Sequence, residues 1–138
     1  MIIYTAAQLK DKLERLPAAA VKGTAAGMQK AVLNVEGESK RYCTRGQTPY
    51  YRAPYSDDDD PHREPPHMRD TIKGEVIVVG TSVHGTISTP KSYARPVHDG
   101  TSRMRARPFI LDAIRAKDRD TRAFLSEGLQ DGLNEVWQ

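Results

Sequence analysis

The apolar positions divide this chain into two helical regions separated by a stretch of short strands and loops. Thr5 reads as a helix N-cap, with Leu9, Leu13 and Leu16 on one helical face behind it. Pro17 is read as the end of this short helix or as the first turn of the next. From about Ala18 to Cys43 the apolar positions are Val21, Ala25, Met28, Val32, Val35 and Tyr42, with Ser39 filling the gap. These intervals alternate between four and three residues, which is a heptad seam. The predicted helix is about 39 Å long. Gly23, Gly27 and Gly37 each cost about 1 kcal/mol relative to alanine in a helix interior. Gly23 and Gly27 lie one turn apart beside Ala19, Ala20, Ala25, Ala26 and Ala31, a set that lets a second helix approach closely. Two accounts fit the stripe: a helix laid on the domain's own sheet, or one that packs on neighbouring subunits.

The periodicity stops between residues 44 and 67. Gly46, Pro49, Pro54, Pro61, Pro65 and Pro66 punctuate this stretch, and it carries Tyr50, Tyr51, Tyr55 and four consecutive aspartates, Asp57 to Asp60. It is read as a long loop. Met68 to Ile72 leads into Gly74–Gly80, a β-branched run that predicts a strand. Val83–Thr89 is read as its hairpin partner through Gly80-Thr81-Ser82, and Pro90 stops it. Ala94–His98 is read as a third short extended piece before an Asp99-Gly100 turn. Helical spacing returns at Pro108, which suits a first helical turn, with Phe109, Ile110, Ala113 and Ile114 behind it. It continues through Phe124, Leu125, Leu129, Leu133, Val136 and Trp137; the charged Arg115–Arg122 piece is either a solvated face or a kink.

Composition narrows the class. The 138 residues amount to a single domain. Hydrophobic residues make up only 38% and mean hydropathy is −0.65, so partner subunits are expected to bury part of the surface. A formal charge of +3 permits nucleic acid as a neighbour without requiring it. Cys43 is the only cysteine, which excludes an intrachain disulfide and a cysteine-based zinc site. The opening MIIYTAAQLK resembles no secretory leader and no run reaches membrane-spanning length, so a soluble, non-secreted protein with no membrane partner is expected.

The candidate chemistry is weak in catalysts and rich in contact residues. Counted from Asp57, the sixth and twelfth positions of a calcium loop hold His62 and Met68 where glycine and glutamate are needed. His62, His67, His84 and His98 show no metal-ligand spacing. His98-Asp99 beside Thr101 and Ser102 resembles an acid–base pair with hydroxyls, but no nucleophile elbow or phosphate loop accompanies it. No cofactor, metal or enzymatic activity is expected. Arg103, Arg105 and Arg107 alternate and, in an extended segment, point to one side, with Arg95 preceding them. They suit an acidic partner surface or a DNA backbone. Tyr50, Tyr51, Arg52 and Tyr55 suit a protein interface, and the adjacent aspartates would repel phosphate. Gly100 is expected to supply a backbone conformation that other residues resist, Pro108 to start the last helical region, and Phe109 to anchor it to the sheet. The alternative reading is a nucleic-acid-binding module that uses the arginines and tyrosines.

Three motifs in order carry a family resemblance: Met68-Arg69-Asp70-Thr71-Ile72, Tyr93-Ala94-Arg95-Pro96-Val97-His98-Asp99-Gly100-Thr101, and Arg107-Pro108-Phe109-Ile110-Leu111-Asp112-Ala113-Ile114. Flanked by a long N-terminal and a C-terminal helix, the set resembles the tail-component family of long-tailed double-stranded DNA phages, which includes tail-completion, head–tail joining and neck proteins. The resemblance implies an α+β fold, with a small twisted antiparallel sheet packed by a long N-terminal helix and a C-terminal helix. It also implies a structural virion subunit in a homo-oligomeric ring, close to the DNA channel and beside connector, tail-terminator or tail-tube proteins. Such a subunit would occupy the host cytoplasm during assembly and the head–tail junction afterwards.

Overall fold

The computed structural model describes residues 2–44, 47 and 67–138. Its first element is one unbroken helix, α1 (Ala6–Tyr42), of 37 residues and about 55 Å. Thr5 caps it: its Oγ1 accepts from the Gln8 backbone N–H at 3.2 Å, and the Gln8 side chain accepts from the Thr5 N–H at 2.9 Å. This reciprocal pair satisfies two of the donors that a helix start leaves open.

Pro17 lies inside α1 and neither ends nor restarts it. Proline removes an intrahelical hydrogen bond and crowds the preceding turn, so something else holds this part of the helix. A second long helix, α5 (Asp118–Trp137), runs antiparallel along α1 and grips it on both sides of the proline. On one side Lys12 Nζ donates to the Val136 carbonyl at 2.6 Å. That cation sits at the C-terminal end of α5, where the helix dipole favours positive charge. On the other side Gly23 and Gly27 of α1 meet Gly128 and Gly132 of α5.

This glycine contact is backbone against backbone. A Cβ at Gly23 would fall on the Gly128 carbonyl and within 2.9 Å of Gly132 Cα, and one at Gly128 within 2.9 Å of Gly27 N. The close approach anticipated for Gly23 and Gly27 is therefore made, and within the chain. The buried stripe of α5 is Gly128, Gly132 and Val136, while Leu129 and Trp137 stay 38% exposed. Of the apolar positions in the sequence pattern, Phe124, Leu125, Leu129, Leu133, Val136 and Trp137, only Val136 lies on that stripe. Glycines make the nearest approach because only they let the backbones touch, and the leucines are turned aside to flank it.

The hairpin lies on the neighbouring face of α1. Strands β1 (Lys73–Val79) and β2 (Ser82–Ser88) pair antiparallel from Lys73–Ser88 to Val79–Ser82, joined through Gly80-Thr81. Val32 of α1 presses on the strand backbones at Gly74 and Gly85, where added Cβ atoms would collide with its methyls. Glu36 then pins the hairpin: one carboxylate oxygen accepts from the Gly74 N–H at 2.9 Å, the other from Lys40 Nζ at 2.7 Å. Burial alone would raise the Glu36 pKa, but these two bonds and the charges of Lys40 and Lys73 outweigh it and hold the carboxyl below its ordinary value.

The remaining elements are short: α2 (Met68–Thr71), α3 (Ala94–Asp99) and α4 (Phe109–Ala116). They gather around the C-terminal end of α1 in a core of Val35, Tyr42, Cys43, Met68, Ile72, Ala94, Val97, Phe109 and Ala113, with Ile87 of β2 against it. Burial pushes the Cys43 thiol up to about 12, which keeps it protonated and unreactive. The charged 115–122 piece contains a break at Lys117, between α4 and α5. Lys117 Nζ lies 3.9 Å from Glu38 of α1, which ties that break to the long helix. The fold is α+β, with a long N-terminal helix, an antiparallel two-stranded sheet and a C-terminal helix packed together.

Substituting Gly23→Ala or Gly128→Ala should destabilise the protein by about 1–3 kcal/mol, because a methyl group forces the two backbones apart. Gly37 has open space around its Cβ position, so Gly37→Ala should stabilise by up to about 1 kcal/mol. Urea denaturation followed by circular dichroism at 222 nm reads both signs.

Replacing Glu36 by Gln should cost about 1–3 kcal/mol at neutral pH. A carboxyl whose folded pKa is lowered contributes stability above its unfolded pKa, near 4.5, and loses it as pH falls through the folded value. The gap between wild type and variant should therefore close on going from pH 7 to pH 3, as read by denaturation midpoints across that range.

Candidate functional site

The stretch from Lys91 to Pro108 concentrates charge: Lys91, Arg95, Arg103, Arg105 and Arg107 stand against one carboxylate, Asp99, in a chain whose formal charge is only +3. The structure folds it as a helix, a tight turn and a returning limb. Residues 94–98, expected to be extended, form α3 instead. Pro96 sits at the third helical position, where a missing N–H removes no helix bond, and Ala94 and Val97 turn into the core.

Gly100 ends α3 with φ +80°, in the left-handed region that glycine tolerates and other residues resist. Its N–H donates to the Pro96 carbonyl at 2.9 Å. Its Cβ position lies within 2.7 Å of Ala106 N, so the limb returning from the turn packs against the glycine face itself. Between them Thr101 and Met104 exchange backbone hydrogen bonds of 2.8 and 3.3 Å around Ser102 and Arg103. The Arg107 N–H donates to the Val97 carbonyl at 3.0 Å, which fastens the limb alongside α3.

This geometry breaks up the expected arginine strip. Arg103 is at the tip of the turn and not in an extended segment, Arg105 is exposed on the limb, and Arg107 is half-buried at its base. Arg95 projects from α3 with its side chain 90% exposed, 3.6 Å from Asp99. Among the described residues, the side chains of Lys91, Arg103 and Arg105 have no carboxylate partner. Tyr50, Tyr51, Arg52 and Tyr55 lie outside the described residues.

Phe109 is fully buried, and Pro108 immediately precedes α4 at the N-cap position. Phe109 belongs to the core that α1, α2 and α3 also supply, and Ile87 of the sheet packs against that core. Pro108 has no side-chain acceptor for the open donors of α4, and His98 supplies one: the Leu111 N–H donates to His98 Nε2 at 3.3 Å. The other ring nitrogen, Nδ1, lies 2.9 Å from Asp99 Oδ1, and the ring stands edge-on to Phe109 with centroids 5.3 Å apart. His98 and then Arg95 hold the Asp99 carboxyl below its ordinary pKa. Both imidazole nitrogens are thus committed to protein partners, and the acid–base pair suggested by His98-Asp99 is arranged as a helix cap.

A groove of about 370 Å³ opens between the end of β2, α3 and the first turn of α4. Its lining is polar at Ser88, Thr89, Lys91, Arg95, His98 and Asp99 and apolar at half-buried Ile110, with buried Ala94 and Phe109 beneath. Lys91 and the two hydroxyls were not singled out in the sequence. No local pattern marks them, because residues from three elements meet there only after folding. No group of His, Cys, Asp and Glu among the described residues could hold a metal ion. None of the described helices is long and apolar enough to cross a membrane. The chain matches no family model, no curated protein and no solved structure.

With Nε2 accepting from Leu111, His98 must carry its proton on Nδ1. Nitrogen-15 correlation spectra should show that tautomer for the neutral imidazole. His98→Ala should leave the Leu111 N–H uncapped and cost about 1 kcal/mol, measured by the same denaturation.

Proposed function

We propose that this protein is a structural subunit of a ring at the head–tail junction or upper tail of a tailed phage, of the tail-completion or head–tail joining type. The observation that carries the reading is the convergence of the three family-like motifs. Met68 and Ile72 from the first, Ala94 and Val97 from the second, and Phe109 and Ala113 from the third pack into a single core. The three motifs therefore occupy one place in the fold, as parts of a shared framework would.

The surface suits assembly. Ile2 and Ile3 ahead of α1 and Leu9 and Leu13 in its first turns are exposed, as are Ile77, Val78 and Val79 at the closed end of the hairpin. A closed ring needs one patch on a subunit to meet a different patch on the next, and these two apolar patches lie on different elements. Burying them on neighbours would supply apolar area that a chain of this composition lacks internally. The partners in such a junction are connector, tail-terminator or tail-tube proteins, with DNA passing through the channel. The exposed Arg103 and Arg105 also suit a phosphate backbone, which is the observation behind the alternative of a nucleic-acid-binding module.

Light scattering after size exclusion, with negative-stain microscopy of the same fractions, should show ring-shaped oligomers. Leu13→Glu and Val79→Glu should each convert them to monomers of unchanged helicity. Antibody labelling of virions should place the protein at the neck. A protein absent from purified particles would overturn the placement, whatever its oligomeric state.

A further inference from the structure

We propose that the groove between the end of β2, α3 and α4 binds an acidic peptide segment of a partner protein, which lays an apolar side chain on the groove floor and carboxylates on Lys91 and Arg95. This stands on the geometry of the groove and does not depend on the ring reading.

The groove has the size and the mixed lining of a recognition pocket. Its volume of about 370 Å³ lies within the usual range for such sites. The floor is carbon: Ala94 and Ile110, with Phe109 closing it from beneath. The rim is cationic on the side formed by Lys91 and Arg95. Lys91 is held at the mouth from its backbone, where its N–H donates to Thr89 Oγ1 at 3.4 Å, and that hydroxyl is itself 2.8 Å from Thr71 Oγ1. Its ammonium has no carboxylate partner among the described residues. Arg95 has only Asp99, 3.6 Å away across a solvent-exposed gap, and an incoming carboxylate can displace so weak a pair. Asp99 stays where it is because His98 Nδ1 also holds it, so the rim keeps one fixed negative edge. An entering acidic chain is thereby steered toward the Lys91–Arg95 side.

The same features argue against a nucleic acid in this groove. Single strands bind by stacking bases on exposed aromatic faces, and Phe109 is completely buried. A phosphate backbone has no apolar group to place on Ala94 and Ile110. A peptide that alternates carboxylates with an aliphatic residue satisfies floor and rim together. Beyond the groove, Arg103 and Arg105 extend the positive field, which speeds encounter with an acidic segment.

Fluorescence anisotropy with a fluorescein-labelled octapeptide, one leucine centred among aspartates, tests the proposal. The peptide should bind saturably. Replacing its leucine by serine should weaken binding about tenfold or more, as expected when an anchor residue is removed. Lys91→Glu and Arg95→Glu should each abolish binding while leaving the circular dichroism and melting profile unchanged. Equal binding of the serine peptide, or binding indifferent to both charge reversals, would overturn the proposal. So would tighter binding of a short DNA duplex with a steep salt dependence, which would make the surface a phosphate site. Self-association of the protein that is lost in Lys91→Glu would reassign the groove to a second copy and overturn it equally.

Discussion

Everything in this protein is arranged from the line where two helix backbones touch. Gly23 and Gly27 of α1 interlock with Gly128 and Gly132 of α5 so closely that no side chain fits between them. Four glycines in helix interiors are costly individually, about 1 kcal/mol each against alanine. What offsets the cost is contact between α5 and α1 from Lys12 to Asn34, with dispersion between closely packed backbones and flanking side chains. Lys12 on the Val136 carbonyl, Lys22 with Glu135 at 3.3 Å and Asn34 with Asp120 at 3.3 Å mark successive levels of the pair. That length of contact splints α1 across Pro17, where an isolated helix would break or bend.

Once α1 is continuous, it serves as the spine for everything else. Its seam face receives the hairpin, with Val32 against strand glycines and Glu36 fixing the Gly74 N–H. Its C-terminal end supplies Val35 and Tyr42, and the capping residue Cys43, to the core that gathers the short helices. That core in turn sets the contact surface. Val97 and Ala94 face inward, so Arg95 must face outward; Gly100 reverses the chain, and the Arg107 N–H brings it back beside α3. The groove is the gap left where β2, α3 and α4 meet around Phe109.

The sequence made some of this legible because the controlling interactions are local. The Thr5 cap, the seam through Val32 and Tyr42, the hairpin and its Gly80-Thr81 turn, and the special conformation of Gly100 all depend on residues within a few positions of one another. The α+β class followed from those elements. Gly128-x3-Gly132 repeats the spacing of Gly23-x3-Gly27 and was a visible signal for the partner of α1. It was masked by the neighbouring leucines, which dominate any count of apolar positions.

What only the tertiary structure decided are the outcomes that set one preference against a distant contact. Ala94–His98, with its proline, reads as extended locally, yet burial of Ala94 and Val97 against the Phe109 core makes it a helix. Pro17 reads as a boundary, yet α5 binds on both sides of it. Nothing local to His98 shows its partners, yet Leu111 and Asp99 use both of its nitrogens. The arginines alternate in sequence, yet the Thr101–Met104 turn sends them to different depths. Local pattern fixes which elements can form, since helix caps, turns and periodicity act over a few residues. Which face is buried, and which side chains meet at a site, is settled by contacts between segments whose separation in the chain no local pattern encodes.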